Sequence, residues 1–188
     1  MRVSPIGVVG GLLNQSFEYI ADAARHDANL SHPNIICQEA NAAYVVAIAY
    51  LIKCHKITRT TRGDAIEVAL HYCRSKEVCS WVTCIDPINT VSKEMTRENI
   101  GWVKWGIILA FHHLISCTIY EDAIRETCRM GGDTDTNACI VGGLVGATIK
   151  MTDIPSTWLN KVLNCRERPK WLRPSCVSGL LNKIHPIL

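Results

Sequence analysis

The sequence predicts an all-α protein, and three observations carry that expectation. Apolar residues recur every three or four positions, residues with capping chemistry stand where those runs begin, and no stretch alternates apolar and polar as a half-buried strand would. Ser16 is placed to cap a helix reaching about Asn29, with Phe17, Ile20, Ala21 and Ala24 on one face. A second helix runs from about Asn34 to His55, and its half from Ala42 to Ile52 is apolar all round, as in a central helix. That run is shorter than the roughly 20 residues needed to span a bilayer, so it predicts a buried helix and no membrane association. Thr58 to Arg62 is expected to break the pattern before one helix from Asp64 to about Trp81, on the spacing of Ala65, Val68, Ala69 and Tyr72. Asp86, Pro87 and Asn89 read as a loop. Thr96 or Glu98 is expected to open the next helix, which carries Trp102, Trp105, Ile108, Leu109 and His112. Thr118 and Glu121 match a capping box, with that helix stopping at Gly131 and Gly132. A further helix is expected from about Thr136 to Lys150, and a last one after Pro155 with Ser156 as its cap.

Composition bounds the function classes. A chain of 188 residues predicts one domain with a sizeable core, and 48% hydrophobic with 20% charged residues is ordinary for a globular protein. With 6% aromatic residues the core is expected to be aliphatic. A net charge of +3 argues against nucleic acid as a partner. The densest basic cluster, Arg166, Arg168, Lys170 and Arg173, reads as a solvated tail. The organisation expected is a helical domain over 1–165 and an irregular, basic, proline-containing tail over 166–188. The ten cysteines include no Cys-x-x-Cys pair and no zinc-type quartet, and some, such as Cys117 and Cys139, fall on apolar stretches as small hydrophobes. With no apolar leader after Met1 and Arg2, the expectation is reduced thiols in an intracellular, cytoplasmic protein.

The segment from Met130 to Lys150, MGGDTDTNACIVGGLVGATIK, is where chemistry concentrates. Asp133 and Asp135 stand one residue apart, followed by the hydroxyl of Thr136, and hard oxygen donors of this kind suit magnesium or calcium. Gly131 and Gly132 let the chain turn tightly, and the helix that follows presents the positive end of its dipole to acids and anions. The plainer alternative is an N-cap with acids in the first turn. Within the helix, Ala138, Gly142 and Gly146 recur every four residues beside Gly143 and Ala147, which predicts close approach of another helix.

GGDTDTNACIVGGLVGA resembles the C-terminal signature of the ADP-ribosylglycohydrolases, relatives of dinitrogenase reductase-activating glycohydrolase. Met1 to Gly7 is similar to the stretch that follows an Asn-Gly pair in that family, and Leu30-Ser31-His32-Pro33 resembles its threonine- or serine-histidine step. Gly101-Trp102-Val103 and Ile154 to Trp158 resemble the segments on either side of the signature. The resemblance implies a compact orthogonal multi-helix bundle that hydrolyses the link between ADP-ribose and a protein side chain or small acceptor. It implies Asp133, Asp135 and Thr136 as magnesium ligands and His32 in the ADP-ribose pocket. Family members hold two magnesium ions with a further Thr-Asp-Asp cluster and an early catalytic acid, both in an N-terminal portion with no counterpart in this sequence. One ion, or weak binding, is therefore expected here, with no residue matching the catalytic acid. A complementing N-terminal chain or self-association would follow, with apolar surface exposed near Ala42 to Ile52. Asp22, Asp27, Asp64 and Glu67 read as solvated helix residues. The alternatives to an active hydrolase are an inactive remnant that binds ADP-ribose or metal, and a structural protein like the related lens crystallins.

Overall fold

A computed structural model describes residues 2–167, 169 and 179, and no strand occurs among the described residues. The chain divides into two compact units, Met1–Ile149 and Lys150–Leu188. The first holds α1 (Ser4–Leu12), α2 (Phe17–Asn29), α3 (Ile35–Lys53), α4 (Arg59–Tyr72), α5 (Lys76–Val82), α6 (Pro87–Glu94), α7 (Val103–Ile115), α8 (Tyr120–Arg129) and α9 (Thr134–Gly146). In the second, a 3₁₀ turn over Met151–Asp153 precedes α10 (Ser156–Leu163). The expected tail over 166–188 falls almost wholly outside the described residues.

Helix α3 is the axis of the first unit. Helices α1, α2 and α4 lie along it, and α5, α7 and α9 also touch it. Its length and apolarity would suffice to cross a bilayer, yet 61% of its most apolar window is buried by its own neighbours. Ala42, Ala43, Tyr44, Val45, Val46, Ala47, Ile48, Ala49 and Leu51 are all buried, which overturns the expected exposure of that stretch. The cover includes α1, a helix that periodicity alone does not reveal because it is apolar nearly throughout. Its glycines let two backbones meet. A Cβ on Gly7 would stand 2.7 Å from the Val45 carbonyl oxygen, and one on Gly11 would stand 2.9 Å from that of Ala49.

Several boundaries differ from expectation, three of them because a side chain caps where none was expected. Thr58 does not break a helix but starts α4 in a reciprocal box with Thr61. The expected single helix from Asp64 to Trp81 is two, because Ser75 caps α5 by accepting from the Val78 N–H. Asp86 and Pro87 open α6 rather than a loop, Asp86 accepting from Asn89 and Pro87 sitting at N1. Helix α7 begins at Val103, later than expected. Thr118 does not cap α8; its hydroxyl lies 3.3 Å from His113 Nδ1, and Ile119 is the N-cap. Ser156 is likewise the first residue of α10 and not its cap. Ser16 and Asn34 cap as expected, each accepting from a backbone N–H. Cys117 and Cys139 are exposed, so neither serves as a core hydrophobe, and the cysteines among the described residues are free.

A buried ion pair ties α2 to α3. Arg25 donates to both Glu39 oxygens at 2.7 and 3.0 Å and to the Tyr72 carbonyl at 2.6 Å, while the Arg74 N–H reaches Glu39 at 2.7 Å. Asp22 joins this network through Arg25 at 2.7 Å, and Asp64 accepts from the Tyr50 hydroxyl at 3.2 Å, so neither is merely solvated.

Candidate functional site

The site begins where α8 stops. Gly131 and Gly132 take φ of +78° and +71°, left-handed angles that favour glycine. The Met95 thioether closes over the turn, and a Cβ on Gly132 would stand 2.5 Å from its sulfur. The chain then enters α9 with Asp133 at the N-cap position. No side-chain capping bond comes from Asp133, so the capping alternative does not account for this carboxylate. Asp135 lies exposed in the first turn. Its carboxyl is held below the ordinary range first by hydrogen bonding with the Asp133 side chain, then by the backbone N–H groups of Thr136 and Asp135 itself.

Thr136, the next residue, lines a cleft of about 440 Å³ whose wall also includes Ser31 and His32. Helix packing brings the two sequence segments to one place: Tyr44 of α3 donates to the Ile140 carbonyl of α9 at 2.8 Å, with Ser4 Oγ 3.2 Å away. Burial pushes the Tyr44 phenol far above its usual value, so it acts as a strut and not as an acid or base. The small face of α9 receives neighbours as expected. A Cβ on Gly142 would meet Ile124 and Tyr120 of α8 at 3.2 Å, and one on Gly143 would collide with the Tyr44 hydroxyl. On the other side the close approach belongs to α7, where a Cβ on Gly106 would lie 2.6 Å from Ile140 Cδ1.

His32 is exposed at the rim, its Nδ1 2.9 Å from Ser31 Oγ. Asp133 and Asp135 stand on the adjoining turn, outside the cleft wall itself. No cluster of three or more His, Cys, Asp or Glu side chains able to hold a metal occurs among the described residues. Asp133, Asp135 and Thr136 offer two carboxylates and a hydroxyl within four consecutive residues, hard oxygens of a kind that suits magnesium.

Three wall residues escape sequence reasoning. Arg2 Nε lies 3.1 Å from an Asp27 carboxylate oxygen and Arg2 Nη2 donates to the Asp27 carbonyl at 2.7 Å, so Asp27 is paired and lines the cleft while staying partly exposed. Trp102 also lines the cleft, edge-on to Trp81 and Trp105 with ring centroids 5.4 and 5.7 Å away. The Arg2–Asp27 pair spans 25 positions, so no local spacing rule could have announced it.

Among known proteins, residues 1–185 match the family model described as ADP-ribosylglycohydrolase. Over 78 residues, 42% of the chain, the sequence is 42% identical to a protein of Acanthamoeba polyphaga mimivirus named as an ADP-ribosyl glycohydrolase. Over 51 residues, 27% of the chain, it is 37% identical to the ADP-ribosyl-[dinitrogen reductase] glycohydrolase of Rhodospirillum rubrum. The matched stretches span 23% and 17% of those two relatives. No solved structure matches the chain significantly.

Proposed function

The chain belongs to the ADP-ribosylglycohydrolase family, and we propose that it is a magnesium-dependent hydrolase of the bond joining ADP-ribose to a protein side chain or small acceptor. In this reading Asp133, Asp135 and Thr136 hold the ion, and the cleft bounded by His32 and Thr136 holds ADP-ribose. The observation that carries it is the placement of Thr136: one residue belongs both to the oxygen-donor turn and to the wall of a cleft large enough for a nucleotide sugar. An ion held there would supply charge neutralisation beside the ribose hydroxyls and stabilise an oxocarbenium-like transition state. In the same reading His32 would hydrogen-bond a polar ligand entering at the rim, while Tyr44 holds α9 to α3 through its bond to the Ile140 carbonyl.

The experiment is release of ADP-ribose from ADP-ribosylated arginine, serine and acetyl-ester substrates, with magnesium and with chelator. Turnover that needs magnesium and disappears in Asp133→Asn and in Asp135→Asn is expected; turnover unaffected by both changes would refute the assignment. A second reading, binding without turnover, draws on the small donor set. It predicts heat on mixing with ADP-ribose and magnesium but no product.

A further inference from the structure

The corner between α4 and α5 holds an arrangement that the proposed hydrolase does not use. Cys73 terminates α4 and Cys79 lies in the first turns of α5, on the two sides of one short connection. Both sulfurs converge on the turn between the helices. Cys79 Sγ lies 3.9 Å from the Cys73 carbonyl, and Cys73 Sγ lies 3.5 Å from that of Ser75. Neither residue is fully buried. The turn itself is fixed, because the Arg74 N–H is bound to Glu39 and its guanidinium to Glu18 at 2.7 Å.

From this geometry we infer that Cys73 and Cys79 form a reversible dithiol site whose reactants are small-molecule disulfides such as oxidised glutathione. Thiol–disulfide exchange needs a thiolate to reach a sulfur and a second thiol close enough to resolve the mixed disulfide. In the first step the Cys79 thiolate attacks one sulfur of the small disulfide, forms a mixed disulfide and releases one small thiolate. In the second, Cys73 loses its proton, attacks Cys79 Sγ and displaces the other small thiolate. Two protein thiols are oxidised, one small disulfide is reduced, and the two protons end on the two small thiols. Burial pushes the Cys73 thiol up to about 12, which makes Cys73 the slow, resolving partner. It also leaves the reduced pair without thiolate stabilisation, a condition that favours the disulfide once formed. The bond would clamp α5 to the end of α4. Helix α5 carries Trp81, whose ring stands edge-on to Trp102 in the cleft wall, so the clamp would reach the cleft through one aromatic contact.

The test treats the full chain with oxidised and reduced glutathione at graded ratios, followed by tryptic mapping. Cleavage after Arg74 and Lys76 separates the two cysteines, so the bond appears as a linked peptide pair lighter by two hydrogens, and reductant dissolves it. Because the second peptide also contains Cys84, Cys79→Ser is the deciding variant: the link is expected to vanish in it and to persist in Cys84→Ser. Tryptophan fluorescence is expected to change on oxidation of the parent protein and not of Cys79→Ser. A link that survives Cys79→Ser, or separate glutathione adducts on Cys73 and Cys79 with no link at any ratio, would overturn the inference.

Discussion

The core around α3 and the turn before α9 are built from the same two materials, glycine and carboxylate, used to opposite ends. Around α3, Gly7 and Gly11 remove side chains so that two backbones touch, and the carboxylate of Glu39 is buried and bound by Arg25 and the Arg74 N–H. Before α9, Gly131 and Gly132 supply left-handed angles in a turn, Asp133 makes no capping bond, and Asp135 stands exposed in the first turn of the helix. The first set completes its bonds within the fold. In the second, the Asp135 carboxyl is held only by groups of its own turn and stays exposed, so a solute can reach it.

Breaking each set should therefore give unlike results. Glu39→Ala strands the Arg25 guanidinium in the core and is expected to cost about 3–5 kcal/mol in urea unfolding. Asp135→Asn, at an exposed helix start, is expected to lower the unfolding midpoint far less in the absence of divalent ions. Equal losses from the two would erase the distinction drawn above.

Acid separates the core further. Burial alone would raise Glu39, but its hydrogen bonds from Arg25 and the Arg74 N–H outweigh that and hold it below the usual carboxylate value. A depressed folded value contributes stability above the unfolded value, lost as pH falls through the folded one. His113 acts over a higher window. Burial first, then the neighbouring His112, lowers it to about 4, although Glu126 approaches Nδ1 at 3.9 Å. The unfolded chain takes up a proton below about pH 6.5 that the folded chain resists. Stability is therefore expected to fall by up to about 3 kcal/mol between pH 6.5 and 4. His113→Gln should flatten that segment of a denaturation-versus-pH series, and an unchanged slope would refute the assignment.

The glycines give smaller and more diagnostic effects. Gly7→Ala sets a methyl group against the Val45 carbonyl and is expected to cost about 1–3 kcal/mol. Gly131→Ala meets no atom within 4 Å, so its cost of about 1 kcal/mol would come from backbone angle alone. The first is read by urea midpoint. The second should show more clearly in magnesium affinity than in stability.

What was legible in the sequence follows the same division. Helices whose apolar face and polar cap agree, such as α2 with Ser16 and α3 with Asn34, could be bounded to within about two residues. Helix α1 could not, because a chain apolar on every side has no period to read. The corner between α4 and α5 was also hidden, since Ser75 competes as a cap inside a continuous helical pattern. At the candidate site, the local string from Gly131 to Thr136 announced its own turn. The partners that complete the cleft, Arg2 with Asp27 and Trp102 with Trp81, lie far apart in sequence and depend on how α1, α2, α5 and α7 dock.

The most direct test is a calorimetric magnesium titration of the full chain with ADP-ribose present, run in parallel on Asp133→Asn/Asp135→Asn. Saturable binding to the parent chain and its loss in the double variant are expected, with both proteins remaining folded in metal-free buffer. Identical binding isotherms for the two proteins would place the ion elsewhere and contradict it.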